Sequence, residues 1–197
     1  VKTLLARESS RNSDIASPTI KPLVVLFSDI SDSCGLYQNY GDVAAVSTIN
    51  TCLSLLREII TQHGGRVVKS IGDELMVVFD DITKAFCAAC IMQMTISSVP
   101  IFPSRKLSIH IGLHYGQVLQ QGNDIFGDTV NIAARLVEIA KTGQIITTER
   151  TVIASNYNDC AQKLCSVRLR GQAHPENIYE IVWQRCPKYC QGQTSHS

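Results

Sequence analysis

The sequence predicts an α+β fold built on one sheet, with helices packed on one of its faces. Three observations carry that expectation. Short β-prone runs and helical patterns follow one another in the order β-α-β-β-α-β. The two middle runs, Arg66–Ser70 and Leu75–Phe79, flank a short turn containing Gly72 and Asp73, which reads as a hairpin. The apolar residues of the intervening segments recur every three or four positions, the helical period. This order is the ferredoxin-like plan, extended at its C-terminal end by further strands and helices.

Composition sets the bounds. The chain has 197 residues, 45% hydrophobic and 18% charged, enough for one good-sized domain. A formal net charge of +1 gives no support to a nucleic-acid or membrane-surface role. No apolar run reaches the roughly 18 residues of a membrane helix. Val1–Pro22 lacks the apolar segment of a signal peptide. Eight cysteines show neither a disulfide framework nor zinc-ribbon spacing. Cys87 and Cys90 fall inside an apolar helical pattern, as small hydrophobes do. A reducing, cytoplasmic setting is expected.

Val1–Pro22 is polar, broken by Pro18 and Pro22, and reads as a linker to an upstream regulatory module. Leu23–Phe27 is a buried strand, and Asp32–Gly41 a polar connection. Asp42 is placed to cap a helix whose core face is Val46, Ile49, Leu53, Leu56 and Ile60, stopping at Gly64-Gly65. After the hairpin, whose second run is apolar enough to be buried on both faces, a second helix starts near Asp81. It carries Ala85, Ala89, Met92 and Ile96 inward, and Pro100 and Pro103 end it.

Leu107, Ile109, Ile111 and Leu113 alternate with Ser108, His110 and Gly112, the pattern of a half-buried strand. Gln121–Asp124 is turn-like. A third helix covers Thr129–Lys141. Ile145–Thr147 is a strand and Glu149–Ser155 a short helix. Val167–Leu169 and Ile178–Trp183 are late strands, and a tail follows from Gln184. The domain is thus expected over residues 23–183.

Two acidic residues stand at adjacent strand ends. Asp29 follows the first apolar run and Asp73 lies in the hairpin turn. Asp73 could serve the turn alone. Paired with Asp29 it makes an oxygen-rich site suited to Mg²⁺, which binds through one or two carboxylates and substrate phosphates. On the third helix, Asn131, Arg135 and Glu138 form a narrow polar stripe between two apolar sides. Such a stripe is either solvated or looks into a cleft or a partner. In a cleft, an amide and a guanidinium one turn apart suit phosphate or ribose oxygens.

Three segments in this order resemble the catalytic domain of the class III nucleotidyl cyclases. They are Phe27-Ser-Asp-Ile-Ser31, Lys69-Ser-Ile-Gly-Asp-Glu74, and Asp124-Ile-Phe-Gly-Asp-Thr-Val-Asn-Ile-Ala-Ala-Arg135. The resemblance covers about Leu23 to Trp183 and implies the class III cyclase catalytic fold, most like a bacterial adenylate cyclase. It implies that Asp29, Asp73 and the backbone carbonyl of Ile30 hold two divalent cations, Mg²⁺ or Mn²⁺. Lys69 and Asp124 would read the purine; guanylate cyclases of the family place Glu and Cys there. Asn131 would orient the ribose and Arg135 would meet charge on the phosphate. The substrate would be ATP and the product 3′,5′-cyclic AMP. The working unit would be a homodimer with shared active sites, tethered at the inner face of a membrane where the upstream module spans it.

Two features depart from the family. The segment between Tyr115 and Asp124 is short. The region of the triphosphate-binding lysine reads Val167-Arg-Leu-Arg-Gly-Gln-Ala-His, so Arg170, then Arg168, are the substitutes. Two other readings compete. A diguanylate cyclase has a turn like Ile71-Gly-Asp-Glu-Leu75, but the Ile and the Asn131/Arg135 helix argue against it. A non-catalytic domain that dimerises or senses nucleotide would be expected to lack a metal carboxylate or Arg135, and both are present.

Overall fold

The sheet is built outward from its first strand. In the computed structural model, which describes residues 17–98, 107–155, 157–171 and 174–186, β1 spans Thr19–Ile30 and pairs antiparallel with two neighbours. The elements that follow are α1 (Ser33–Gln62), β2 (Arg66–Ile71), β3 (Glu74–Phe79), α2 (Ile82–Ser98) and β4 (Ile109–Gln121). Next come β5 (Asp124–Phe126), α3 (Asp128–Ile139), β6 (Ile145–Thr148), α4 (Glu149–Ala154), β7 (Ala161–Val167) and β8 (Glu176–Ile181). The sheet order is β2-β3-β1-β4-β6-β8-β7, with β5 paired to β4. Its first four members, β2-β3-β1-β4, carry the expected ferredoxin-like arrangement.

Helices cover both faces, not one. Val24, Leu26 and Ile30 of β1 join α1 and α2 in the main core, while Leu23, Val25 and Phe27 pack with Ala133 and Val137 of α3. Successive strand residues point to opposite faces, so α3 lies across the sheet from α1 and α2. The unbroken apolar run of β3, buried from Leu75 to Phe79, needs this second cover. β4 needs it too. It is not half-buried, because Gly112, His114 and Gly116 on its other face are also covered. A Cβ at Gly112 would lie 2.3 Å from the backbone N of Val137, so only glycine lets α3 approach this closely.

β1 begins at Thr19, inside the stretch read as linker. Thr19–Leu23 pairs only with β4, since β3 reaches no further than Val24. Pro22 therefore sits on an open strand edge, where a missing N–H is tolerated. Ser33–Tyr40 is helical, not a connection, and Gly41 (φ 78°) kinks α1. Gly41, not Asp42, is the residue outside helical geometry where the second segment starts. Val46 is 45% exposed, and Ala45, Cys52 and Ile59 take places on the buried face instead. α1 is long and apolar enough to cross a membrane by composition, but ten of its residues are buried in this fold.

The C-terminal additions differ most from expectation. β7 is Ala161–Val167, and Arg168 and Leu169 follow it rather than forming a strand. β7 is an edge strand paired only to β8, with five exposed residues, so it carries no apolar signal. α3 ends at Ile139, where Ala140 turns extended. Trp183–Arg185 is a 3₁₀ turn and Cys186 is buried, so the fold continues past Gln184; Trp183 Nε1 donates to the Gly143 carbonyl at 2.9 Å. Pro100, Pro103 and residues 187–197 lie outside the described residues.

Candidate active site

Asp29 stands where β1 leaves the sheet, directly across from His110 of β4. One carboxylate oxygen accepts the Ile30 N–H at 3.0 Å; the other lies 3.4 Å from His110 Nε2. His110 Nδ1 is 3.0 Å from Ser31 Oγ. The Ile30 side chain is buried, which leaves only its backbone to serve a ligand.

On the adjoining strand, the β2–β3 turn needs Gly72 at φ 61° and presents Asp73. Asp73 Oδ2 is buried and has no hydrogen-bond partner. Asp73 also lines a cleft of about 200 Å³ with Gly72 and with Ser33, Tyr37 and Asn50 of α1. Glu74 completes the cluster. Burial raises its pKa, and the charges of Asp29, Asp73 and Glu138 raise it further, while His110 opposes them. Cys52 is held as a thiol: burial, with Asp73 adding to it, pushes its pKa up to about 12.

Asp29 at its strand tip and Asp73, with an orphaned buried oxygen, offer the hard carboxylate oxygens that a divalent cation takes. Among the described residues, no three His, Cys, Asp or Glu side chains form a complete metal cage. A cation here would therefore draw on substrate oxygens as well, as Mg²⁺ commonly does.

The second grouping is an ion pair. Lys69 Nζ lies 2.7 Å from Asp124 Oδ2. A bulge in β2 between Val67 and Lys69, and the short strand β5 that begins at Asp124, bring the two together. Arg66 Nη1 donates to the Asn123 carbonyl at 2.9 Å and ties the two elements. The hydrogen bond from Lys69 holds the Asp124 carboxyl below its usual range. Lys69 Nζ also sits 5.9 Å from the centre of the Phe126 ring.

The third grouping is on α3. Arg135 Nη1 reaches both oxygens of Glu138, at 2.6 and 2.7 Å, and that bond raises the guanidinium pKa. Asn131 is exposed one turn earlier. Thr129 Oγ1 donates to the Gln117 carbonyl at 2.7 Å and fixes the start of the helix on β4. Arg168 and Arg170 are exposed after β7, at the sheet edge opposite β2, and so stand apart from Lys69. The chain thus sets Asp29 and Asp73 each within electrostatic reach of Glu74, and pairs Lys69 with Asp124. It keeps Arg135 on Glu138 and Arg170 remote. His110 is the contact that sequence reasoning missed. Its only signal was its alternation with Ile109 and Ile111, and nothing in the sequence set the β1–β4 register.

The family model for the adenylate and guanylate cyclase catalytic domain matches residues 15–181. An adenylate cyclase of Glutamicibacter nicotianae is 28% identical over 173 residues, 85% of this chain and 41% of that protein. The solved adenylyl cyclase CyaB from P. aeruginosa superposes with a TM-score of 0.71 at 22% identity, covering 85% of this chain and 96% of that one. The guanylate cyclase domain of RhGC from Catenaria anguillulae, in complex with GTP, gives a TM-score of 0.74 at 22% identity over 84% and 98% of the two chains. These structural likenesses show the fold. The chain spans less than half the length of the curated relatives it matches, 41% in the case of the Glutamicibacter nicotianae protein.

Proposed function

Because the chain belongs to the adenylate and guanylate cyclase catalytic-domain family, we propose that it converts ATP to 3′,5′-cyclic AMP and pyrophosphate. The observation that carries the choice of ATP is the Lys69–Asp124 pair, an ammonium donor and a carboxylate acceptor 2.7 Å apart. Adenine offers the complement, a ring-nitrogen acceptor beside an amino donor. Guanine reverses the roles at its six-position and leaves polar groups unmatched.

In this reading the ribose 3′-oxygen attacks the α-phosphorus. A new P–O bond forms, the bond to the bridging oxygen breaks, and pyrophosphate leaves. Asp29, Asp73 and the Ile30 carbonyl would hold two divalent cations, Mg²⁺ or Mn²⁺. When bound, these supply Lewis-acid activation of the 3′-oxygen and neutralise the triphosphate. Asn131 orients the ribose. Arg135 exchanges its contact with Glu138 for charge growing on the phosphate. Arg170 takes the triphosphate.

The site is composite in this reading. Asp29 and Asp73 come from one protomer of a homodimer, and Lys69, Asp124, Asn131 and Arg135 from its partner. The remote position of Arg170 supports an arrangement in which no one chain holds the whole nucleotide. A cytoplasmic setting belongs to the same proposal, supported by the free thiols of Cys34, Cys52 and Cys165; an upstream regulatory module belongs to it as well, its motive the polar sequence ahead of β1.

The test is a product assay on the purified chain with Mn²⁺ and either ATP or GTP. Cyclic AMP from ATP, with GTP much the poorer substrate, is expected. Cyclic GMP as the main product would overturn the base reading. A cyclic dinucleotide from GTP would favour the diguanylate alternative, and no product from either nucleotide would favour a dimerising or sensing domain.

A further inference from the structure

We propose that His110 supplies a nitrogen donor at the Asp29 cation position and biases that position toward Mn²⁺ over Mg²⁺. The proposal rests on the assignment of Asp29 as a cation ligand. Register places the two residues opposite each other on β1 and β4, and on the same face of the sheet. Nε2 lies 3.4 Å from Asp29 Oδ2. That is long for a hydrogen bond, and close to the spacing of about 3 Å between neighbouring ligands of one small cation.

The other ring nitrogen already has its partner. Nδ1 lies 3.0 Å from Ser31 Oγ. In the tautomer with the proton on Nδ1 and donated to Ser31, the Nε2 lone pair is left for a cation held between it and the carboxylate. Metal-binding histidines are commonly held this way, by an oxygen acceptor on the far nitrogen. The His110 side chain is 18% exposed, so the ring is confined yet reachable from the tip. Imidazole suits transition ions, whereas Mg²⁺ prefers carboxylate, carbonyl and water oxygens. A nitrogen at this place therefore discriminates between the two ions. A histidine that only braced Asp29 through a hydrogen bond would affect both alike.

The test uses the purified chain with 3′-deoxy-ATP, which cannot cyclise. Calorimetry gives Mn²⁺ and Mg²⁺ affinities for the wild type, His110→Gln and Asp29→Ala. His110→Gln is expected to weaken Mn²⁺ about tenfold and to leave Mg²⁺ nearly unchanged. Equal losses for both ions overturn the proposal. Pulsed electron paramagnetic resonance of Mn²⁺ on ¹⁵N-histidine-labelled wild type tests it without relying on a folded variant. A histidine ¹⁵N coupling is expected, and its absence with Mn²⁺ bound overturns the proposal. Asp29→Ala separates the two claims: if it binds Mn²⁺ as the wild type does, the Asp29 assignment fails and takes the proposal with it. If Asp29→Ala loses Mn²⁺ while His110→Gln matches the wild type, only the role of His110 fails. Wild type that binds no Mn²⁺ even with nucleotide overturns both.

Discussion

Two histidines four residues apart on β4 live in opposite surroundings. His114 is 3% exposed, and its Nδ1 meets Thr148 Oγ1 at 2.8 Å and Thr151 Oγ1 at 3.3 Å. Burial, with Arg150 adding to it, pushes its pKa down to about 4. His110, at the sheet tip, faces Asp29 and lies within electrostatic reach of Glu74, which Asp29 and Asp73 also crowd. The first cluster is closed: a neutral ring held by hydroxyls. The second is open, with like charges together and a carboxylate oxygen of Asp73 left without a hydrogen bond. A fold keeps such an arrangement at a cost, and a cation with phosphate oxygens would relieve it. Along a single strand, one histidine is locked into the packed interior and the other is left beside the Asp29 carboxylate at the sheet tip.

The sharpest way to break the contrast is at the open end. Asp29→Ala or Asp73→Ala is expected to lower cyclisation roughly a thousandfold or more, since several kcal/mol of transition-state stabilisation depends on the cation site. Both variants should keep the fold, because each side chain stands at a strand tip or turn outside the apolar cores. Turnover assays paired with thermal denaturation check this, and near-normal turnover in Asp29→Ala would sink the assignment.

Arg135→Ala should lower kcat by about 10²–10³ with little change in KM, as for a group that acts on charge developing in the transition state. A rise in KM at constant kcat would instead mark Arg135 as a ground-state contact.

At the closed end the effect is on stability. Unfolded, His114 titrates near 6.5; folded, near 4. Between these values the unfolded chain binds the extra proton, so the contribution of His114 is full above pH 6.5 and is lost as pH falls toward 4. It amounts to about 3 kcal/mol. Urea denaturation across this window should show a shallower pH dependence in His114→Gln than in the wild type. An identical slope would contradict the closed-cluster reading.

The smallest expected effect is on preference. Lys69→Glu with Asp124→Cys should move the ATP-to-GTP ratio toward GTP by about tenfold or more, with activity lost overall. An active double variant that keeps its ATP preference would separate this ion pair from base reading.

Much of this was legible in the chain. The hairpin, the order of the first six elements and the three motif segments lie in local pattern and turn chemistry. What escaped depended on partners distant in sequence. The second helical cover was implied by the apolar run Leu75–Phe79, which needs burial on both sides, yet no local signal said that α3 supplies it. β7 was hidden because an exposed edge strand such as Gln162–Ser166 has no apolar face to reveal. The Ser33–Tyr40 helix was masked by its polarity and by Gly41. His110 was beyond reach because a strand residue acquires its neighbour only through register. Asp29 and Asp73 stand out in the sequence as acidic residues at a strand tip and in a turn, but the unsatisfied oxygen of Asp73 exists only in three dimensions.

The central claim, that two chains complete each site, has a direct test in mixed dimers. One chain carries Asp29→Ala and the other Arg135→Ala, and the two are co-expressed so that mixing is assured. Each homodimer alone should be nearly inactive. In a mixed dimer one site takes both lesions and the other neither. Random equal mixing makes about half the dimers mixed, each with one intact site, so roughly a quarter of wild-type activity is expected. A demonstrably mixed pair no more active than either variant alone would contradict the shared site and place all of its residues within one chain.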